Sequence, residues 1–572
     1  MQAGFLCLEA GSTRSKNRIN VIIKNLTDLG LSVLIFWAVG YGLMFGNSWQ
    51  GVIGVDRFWP NLGENRDIWT GSFFLFQAMF CSTAVTILSG AAAERLKFKG
   101  YLAIATLISA VIYPIFGHWV WQGTDRALPN GWLAAQGFVD FAGTTVVHSV
   151  GGWCSLAAIL VIGPRIGRFS CKRSFDDMAS TDLPIAFLGT MLLWFGWFGF
   201  NGGSNLVFDA HVSNIIADTL MGGAAGVITP ILWMLLRQRP VEVKPMMNGA
   251  IAGLVAVTGG CHAFSSVAAL LVGAVGSLLM IAATDLLENC KVDDVVGAIP
   301  VHLAAGIWGT LAVGLFGNLE RLGTGLNRFT QIKAQLSGVL ACGLWAFTVT
   351  LVGVWILARL SLLRVSARQE YLGLNITEHG SKSQVDDLFS VMGQHAKTGN
   401  LRRQAKSDSF TEVGRVGHWY NQVIAALESA IATNDAIVAT ALDSILTVTT
   451  SDLRIQSANP ATAKIFGYSH QALTRQSLQK LLLTNKAIRF DAAHINEIVE
   501  SAEPLPAYGQ HSSGQNFPIE LTAAKTTIET HSFFTIFIKD ISARRLAEDA
   551  LLDSRAKRKS QSRSARTCHG TA

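Results

Sequence analysis

Asp140-Phe141-Ala142-Gly143-Thr144-Thr145-Val146-Val147-His148-Ser149-Val150-Gly151-Gly152-Trp153 decides how this chain is read. It sets one carboxylate and one imidazole in an otherwise apolar, small-residue run, and it opens a segment, 141–163, long enough to cross a bilayer, which takes roughly 20 residues. An ionisable side chain at membrane depth is costly and marks function by default. The histidine also has an echo. Val301-His302-Leu303-Ala304-Ala305-Gly306-Ile307-Trp308 repeats V-H-x-x-x-G followed closely by Trp, 154 residues further on. Such symmetry predicts two related halves with a site at their interface.

Apolar runs of spanning length recur on both sides, at 26–46, 70–93, 101–122, 183–203, 212–236, 247–262, 264–287, 300–318 and 332–363, with a stub at 1–11. The boundary between 247–262 and 264–287 is soft. The chain has 572 residues, 50% hydrophobic and 15% charged, with 55 glycines, and fourteen of its 15 tryptophans precede residue 364. That asymmetry predicts a membrane protein with an ordinary polar part attached, and it excludes a collagen, a disulfide scaffold, a wholly disordered chain and a single globular enzyme. The eight cysteines show no CxxC spacing, which argues against zinc and against a disulfide framework.

The formal net charge of +7 raises the question of nucleic acid, but the basic residues lie in short connections between apolar segments. Arg14, Lys16, Arg18 and Lys24, then Arg95, Lys97 and Lys99, then Arg165, Arg168, Lys172 and Arg173, then Arg237, Arg239 and Lys244 occupy every second connection. Positive loops of this kind face the cytoplasm. No nucleic-acid partner is expected. The loops 47–69 and 123–139, with Trp59, Trp69 and Trp132 as interfacial anchors, are expected outside, and the polar C-terminal region inside the cell.

A single histidine on an apolar helix is most often a packing residue, and a metal site would need Cys or carboxylate ligands at a spacing that neither motif offers. Two neutral imidazoles at echoed positions can instead donate from one nitrogen and accept at the other, which suits a small hydrogen-bonding solute in an apolar passage.

Met1-Gln2-Ala3-Gly4-Phe5 with Arg14-Ser15-Lys16-Asn17, Phe76-Gln77-Ala78-Met79-Phe80, the stretch 140–148, Trp197-Phe198-Gly199-Phe200-Asn201-Gly202-Gly203-Ser204, and Asp293-Asp294 ahead of Val301-His302 together resemble the ammonium transporter, methylammonium permease and Rhesus protein family over roughly residues 1–380. The resemblance implies an all-α polytopic membrane domain of eleven helices in two inverted-repeat halves, assembled as a homotrimer with one narrow pore per subunit. Met1 aligns inside the family's first helix, so that helix is expected to be truncated here. The resemblance implies that Trp121, Phe80 and Ser204 recruit ammonium at an outer site by cation-π attraction and a hydroxyl acceptor. It also implies that Phe80 and Phe200 close the pore, that His148 and His302 line it, and that Asp140 either stabilises the cation or shapes the site by accepting backbone hydrogen bonds. Potassium is similar in size to ammonium but cannot shed a proton to cross a dry pore as a neutral solute. Two departures, a long stretch from Trp121 to Asp140 and Thr144 where many members carry Gly, match the branch fused to signalling domains.

Residues 364–380 resemble the family's cytoplasmic tail. In 381–430, Val385, Leu388, Phe389 and Met392, then Val416, Tyr420, Val423, Ile424 and Leu427, recur at helical spacing and predict an amphipathic connector. From 431 to 552, strand-like runs at 445–449 and 533–538 alternate with helical segments. Asn459, Phe466-Gly467-Tyr468, Ser513-Gly514, Phe517-Pro518-Ile519-Glu520 and Ile538-Lys539-Asp540-Ile541-Ser542 resemble an α+β PAS domain. It lacks a flavin-type cysteine motif and a clear haem histidine, so a ligand-free relay and no cofactor are expected. Residues 553–572 read as a basic, disordered tail.

The chain is therefore expected to be no enzyme but an ammonium transporter or sensor in the inner cell membrane, multi-pass, with a cytoplasmic C-terminus. Expected partners are ammonium or ammonia, two further copies of the chain, the lipid bilayer, and a PII-type regulator or a downstream signalling kinase or cyclase. A non-conducting receptor is the first alternative. A Rhesus-like gas channel is weaker, because Trp121, Phe80 and Ser204 supply a cation site.

Overall fold

A computed structural model describes residues 1–62, 68–124, 130–169, 178, 181–382, 384–483, 490–501, 503–528 and 531–567. The chain folds as two units, Met1–Ser383 and Gln384–Ala572. The first unit is built from α1 (Gln2–Ser12), α2 (Ser15–Phe45), α3 (Trp69–Ala91), α4 (Phe98–Trp121), α5 (Thr144–Ile162), α6 (Leu183–Gly203), α7 (Ala210–Leu236), α8 (Val243–Thr258), α9 (Ser266–Asn289), α10 (Ile299–Phe316) and α11 (Arg328–Arg359). Among the described residues, nine of these are long and apolar enough to span a membrane, α1 and α8 being shorter. The protein is a multi-pass membrane protein.

Local chemistry sets the starts. Asp182, Asp209 and Ser265 each accept a backbone N–H of the first turn of α6, α7 and α9, and Pro184 occupies the first turn of α6, where its missing N–H costs nothing. The outer surface stays apolar: Phe195 and Leu344 are each 75% exposed, as lipid-facing side chains would be. Inside, small residues bring α7 and α8 together backbone to backbone. A Cβ on Gly226 would stand 2.3 Å from the Gly249 carbonyl oxygen, and one on Gly253 would stand 2.4 Å from that of Gly222.

Two sequence expectations shift here. The segment expected to begin at 26 is helical from Ser15, because its polar first turns are bound rather than solvated: Lys24 Nζ donates to the Leu96 carbonyl at 2.7 Å and Asn20 N–H donates to Asn375 Oδ1 at 3.1 Å. The soft boundary resolves into α8 and α9, separated by a turn at 259–265. Of the expected cytoplasmic charges, Lys172 and Arg173 lie outside the described residues.

The family-like tail folds back on the membrane unit as α12 (Ala367–Leu372) and α13 (Leu374–His379). Asn375 Nδ2 donates to the Ser15 carbonyl at 2.8 Å, Lys16 Nζ donates to the Glu370 carbonyl at 2.7 Å, and Glu370 Oε1 accepts the Ile166 N–H at 2.7 Å.

The second unit opens with α14 (Gln384–Thr398) and α15 (Glu412–Thr440). A six-stranded antiparallel sheet follows, from β1 (Ser444–Thr449), β2 (Ile455–Ala458), β3 (Leu482–Leu483), β4 (Leu505–Gln510), β5 (Asn516–Ile528) and β6 (His531–Asp540), in the order β2-β1-β6-β5-β4-β3. Leu446, Phe466, Ile519, Ile536 and Ile538 are fully buried in its core. Because α15 runs to Thr440, residues 431–440 belong to the connector helix rather than to the sheet domain expected to start at 431. The tail expected to be disordered from 553 is helical to Thr567, within α16 (Ser542–Thr567), whose first turns carry the Arg544–Glu548 pair at 3.0 Å at i, i+4 spacing. Residues 568–572 lie outside the described ones.

Candidate functional site

Two aspartates organise the site. Gly143, at φ +106°, lets the chain turn tightly into α5, and the Asp140 carboxylate then accepts four backbone N–H groups, from Gly143 at 3.0 Å, Thr144 at 2.8 Å, Thr145 at 2.7 Å and Val146 at 2.8 Å. These are the orphan donors of a helix start, and a carboxylate is the strongest acceptor for them. The first turn they cap, Thr144–Ser149, is a π-helical turn, and it carries His148. Eight residues before His302, Asp294 does the same for Ile299–Ala304, accepting Gly297 N–H at 3.0 Å and Ile299 N–H at 2.7 Å, with Gly297 at φ +87°. π-helical turns recur at functional positions because they displace a side chain from the regular register.

The two turns bring the predicted histidines together. His148 and His302, 0% and 4% exposed, approach Nδ1 to Nδ1 at 3.2 Å with ring planes 17° apart. A hydrogen bond between two Nδ1 atoms needs one nitrogen without a proton, so at most one ring of the pair is an imidazolium. His148 Nε2 has no partner. Trp197 stacks on His148 at 5.1 Å and is fixed by its own Nε1–H, which donates to Thr258 Oγ1 at 2.8 Å. Phe5 lies 6.1 Å from His302 on the other side.

On the α5 entry side of the histidines, Phe80 and Phe200 stack with centroids 4.0 Å apart and planes 12° apart, and Phe200 is 5.6 Å from His148. Trp121 meets Phe80 edge to face at 5.9 Å, with its Nε1–H donating to the Asp140 carbonyl at 2.7 Å. Beyond them opens a vestibule of about 560 Å³, lined by Phe76, Gln77, Phe80, Trp121, Asp140 and Ser204 among others. Ser204 Oγ donates to the Phe200 carbonyl at 2.9 Å, which leaves the oxygen's lone pairs facing outward as acceptors. Trp121, Phe80, Phe200, Ser204, His148 and His302 are thus joined by successive contacts, with Asp140 on the vestibule wall. Both carboxylate oxygens of Asp140 are engaged by backbone N–H groups.

Sequence reasoning passed over three participants. Trp197 and Gln77 stood inside quoted motifs without a role, yet Trp197 backs His148, and Gln77 Oε1 is a buried acceptor without a partner on the vestibule wall. Asp294 was marked only as preceding His302. Its eight-residue spacing to the histidine, identical to that of Asp140, was the available signal.

Beyond the far ends of α3 and α5 lies a buried ion cluster. Asp293 pairs with Arg165 at 2.8 Å, Arg165 reaches Glu94 at 3.3 Å, and Glu94 also binds Arg14. Burial pushes the Glu94 carboxyl up, but Arg165 and Arg14 outweigh it and hold the group below the usual carboxylate range.

The model of the Ammonium Transporter Family matches residues 1–384. The chain belongs to that family. A putative ammonium transporter of Synechocystis sp. is 46% identical over 433 residues, 75% of this chain and 80% of the relative, and ammonium transporter Amt2 of Archaeoglobus fulgidus is 40% identical, covering 67% and 84%. Among solved structures, a sensor Amt protein matches with TM-score 0.64 and 39% identity over 66% of this chain and 94% of that one. Saccharomyces cerevisiae Mep2, at TM-score 0.57 and 24% identity over 64% of this chain and 84% of that one, shares the fold. A PAS domain model matches residues 442–543. The chain therefore joins an ammonium-transporter membrane domain to a PAS domain.

Proposed function

We propose that the chain binds ammonium in the vestibule, conducts it or its neutral form past Phe80 and Phe200 and along His148 and His302, and relays occupancy to the PAS domain. Ammonium carries four N–H donors and a positive charge. Trp121 and Phe80 offer ring faces worth roughly 1–2 kcal/mol to a desolvated cation, while Ser204 Oγ and Gln77 Oε1 offer acceptors. The observation that carries the reading is the 3.2 Å contact between His148 and His302 directly behind the stacked phenylalanines. A pair holding one shared proton presents a donor and an acceptor to a passing ammonia molecule but has no ring oxygen or charge to replace the hydration shell of potassium.

In this reading the protein works as a homotrimer in the inner cell membrane with its C-terminus in the cytoplasm, where a PII-type regulator or a signalling kinase or cyclase would read it. A second reading, a receptor that binds ammonium without sustained flux, is favoured by the attached PAS domain and by the similarity to a protein named as a sensor. Electrophysiology on supported membranes separates the two. A sustained ammonium current supports conduction, a transient binding signal without current supports the receptor, and no ammonium response removes both.

A further inference from the structure

Only the first turns of α15 are anchored in the second unit. His395 Nδ1 of α14 and the Tyr420 hydroxyl share a hydrogen bond of 2.8 Å, and the Asn421 amide pairs with the backbone of Ala405, Oδ1 accepting its N–H at 2.9 Å and Nδ2 donating to its carbonyl at 2.8 Å. Beyond them the cover stops. Every residue from Ala425 to Thr440 is exposed, Leu427, Ile431, Ile437 and Val438 included, and Val423 just before them is 65% exposed. A bare apolar face of this length marks an interaction surface.

The face has a period. Val423, Leu427, Ala430, Asn434 and Ile437 follow one another in steps of four and three, which puts Leu427 and Asn434 at position a of a heptad and Val423, Ala430 and Ile437 at position d. Ile424, Ile431 and Val438 fill position e, so the apolar stripe is broader than the a/d seam of a two-stranded coil. From Ala425 to Thr440 the other positions hold only Ala, Ser, Thr, Glu and Asp. Leu at a with a β-branched residue at d, as in Leu427 and Ile437, favours three or four strands over two.

Lipid is a poor occupant of the stripe. The helix is long and apolar enough to cross a bilayer, but Glu428, Asn434 and Asp435 stand in mid-stretch, where hydrocarbon penalises them. A helix lying on an anionic membrane surface carries Lys and Arg on its polar face, whereas from Asn421 to Thr440 the sequence has neither.

We infer that residues 423–438 of α15 pack on the same residues of two further copies of the chain as a parallel three-helix bundle. The inference rests on the homotrimer of the reading above. A threefold axis sends three copies of the connector in one direction, and tethering to a common assembly raises their effective concentration, so that a short stripe suffices. Leu427 and Ile437 fill the axis, and the three Asn434 amides, each able to donate and accept, meet in one layer and fix the register. The connector becomes a shared element, in which a displacement of one helix is felt by all three chains.

The test uses the full-length protein in detergent, its assembly mass measured by light scattering, with single added cysteines treated with a short bismaleimide. Leu427→Cys, Ala430→Cys and Ile437→Cys lie on the stripe, and Ala425→Cys and Ala432→Cys lie on the opposite side of the helix. All five sites are exposed, so the substitutions leave folding intact. Helices packed roughly 8–10 Å apart hold thiols on the stripe within the reagent's span and keep the others beyond it. The stripe variants are expected to form covalent dimers well above the wild-type background, levelling off at two chains in three because each link leaves the third chain alone. Ala425→Cys and Ala432→Cys are expected to stay at the background. Equal linking on both faces, or none on the stripe, in a preparation with the mass of three chains overturns the bundle and leaves the homotrimer standing. Linking of the stripe variants that runs past two chains in three shows paired helices and overturns the threefold arrangement. A mass other than that of three chains removes the homotrimer itself, and the three-helix bundle with it.

Discussion

The two histidine-bearing turns are built alike and placed oppositely. Asp140 and Asp294 each stand eight residues ahead of the histidine, and Gly143 and Gly297 five ahead, both at positive φ. The surroundings differ. Asp140 takes four backbone N–H groups and neighbours Trp121 at the rim of the vestibule, whereas Asp294 takes N–H groups from Gly297 and Ile299 at the other end of the bundle, next to Asp293 and its pairing with Arg165. One repeat leaves an aromatic, acceptor-lined mouth, and the other is locked into an ion cluster. A duplicated device can thus keep its cap while its surroundings diverge, one copy bordering an aromatic cavity and the other an ion cluster.

Removing each cap tests that contrast most severely. Asp140→Ala strands four buried donors and is expected to cost on the order of 4 kcal/mol, enough to lose much of the folded protein. Asp294→Ala is expected to cost about half as much, since fewer N–H groups lose their acceptor. Thermal unfolding of the detergent-purified variants measures both. Equal losses would mean the two caps are energetically interchangeable.

The histidines themselves come next. Replacing His148 or His302 by Asp keeps a hydrogen-bonding group in line but adds a charge that can stand in for potassium's hydration shell, so potassium current relative to ammonium is expected to rise at least about tenfold, a change of roughly 1.4 kcal/mol in the ion's barrier. His302→Ala, which breaks the 3.2 Å contact, is expected to weaken discrimination as well. Undiminished discrimination against potassium in His302→Ala would defeat the paired-histidine mechanism. Trp121→Ala acts only at the open mouth. With a cation-π contribution of about 1–2 kcal/mol removed, apparent ammonium affinity is expected to fall roughly tenfold, read from the concentration dependence of the binding signal.

The spans were legible because lipid imposes long apolar runs, and the histidine pair was legible because a repeated V-H-x-x-x-G-with-Trp pattern survives duplication. What composition hid was pairing between distant residues. The start of α2 at Ser15 depends on Leu96 and Asn375 accepting its polar groups, which no local window contains. The stacking of Trp197 on His148 joins the two repeats across the centre of the unit. In the second unit, composition marked 553–572 as disordered because it is rich in Lys, Arg and Ser, but a helix nucleated at 542–552 runs on through such residues at little cost. Asn459, recognised as a PAS motif residue, proved to have a specific task. Its Nδ2 donates to the carbonyls of Val438 at the end of α15 and of Asp443, and its Oδ1 accepts from Ile445 and Thr462, so it joins the end of α15 to the start of β1 and caps the short helix Pro460–Phe466.

That tie frames the smallest expected effect, the coupling of the membrane unit to the PAS domain. A ligand can bias a distant element only through a difference in its affinity for two states, and the bias is reciprocal. If ammonium occupancy is relayed through the tail and α15, then removing residues 384–572, or breaking α15 with Leu427→Pro, changes the apparent ammonium affinity of the vestibule even though neither change touches it. The expected shift is about fivefold, the lower end of coupling energies between separated sites, which is smaller than that from Trp121→Ala because no contact to the cation is lost. Asn459→Ala sharpens the result. It leaves the whole chain present and removes the bonds that join the end of α15 to β1 and cap the helix Pro460–Phe466, so a shift in the same direction as the deletion assigns the coupling to that junction, whereas wild-type affinity in Asn459→Ala with altered affinity in Leu427→Pro places it earlier in the connector. Equal affinity in all of these variants would make the PAS domain a tethered passenger, and the difference between the open and the locked repeat would then serve conduction alone.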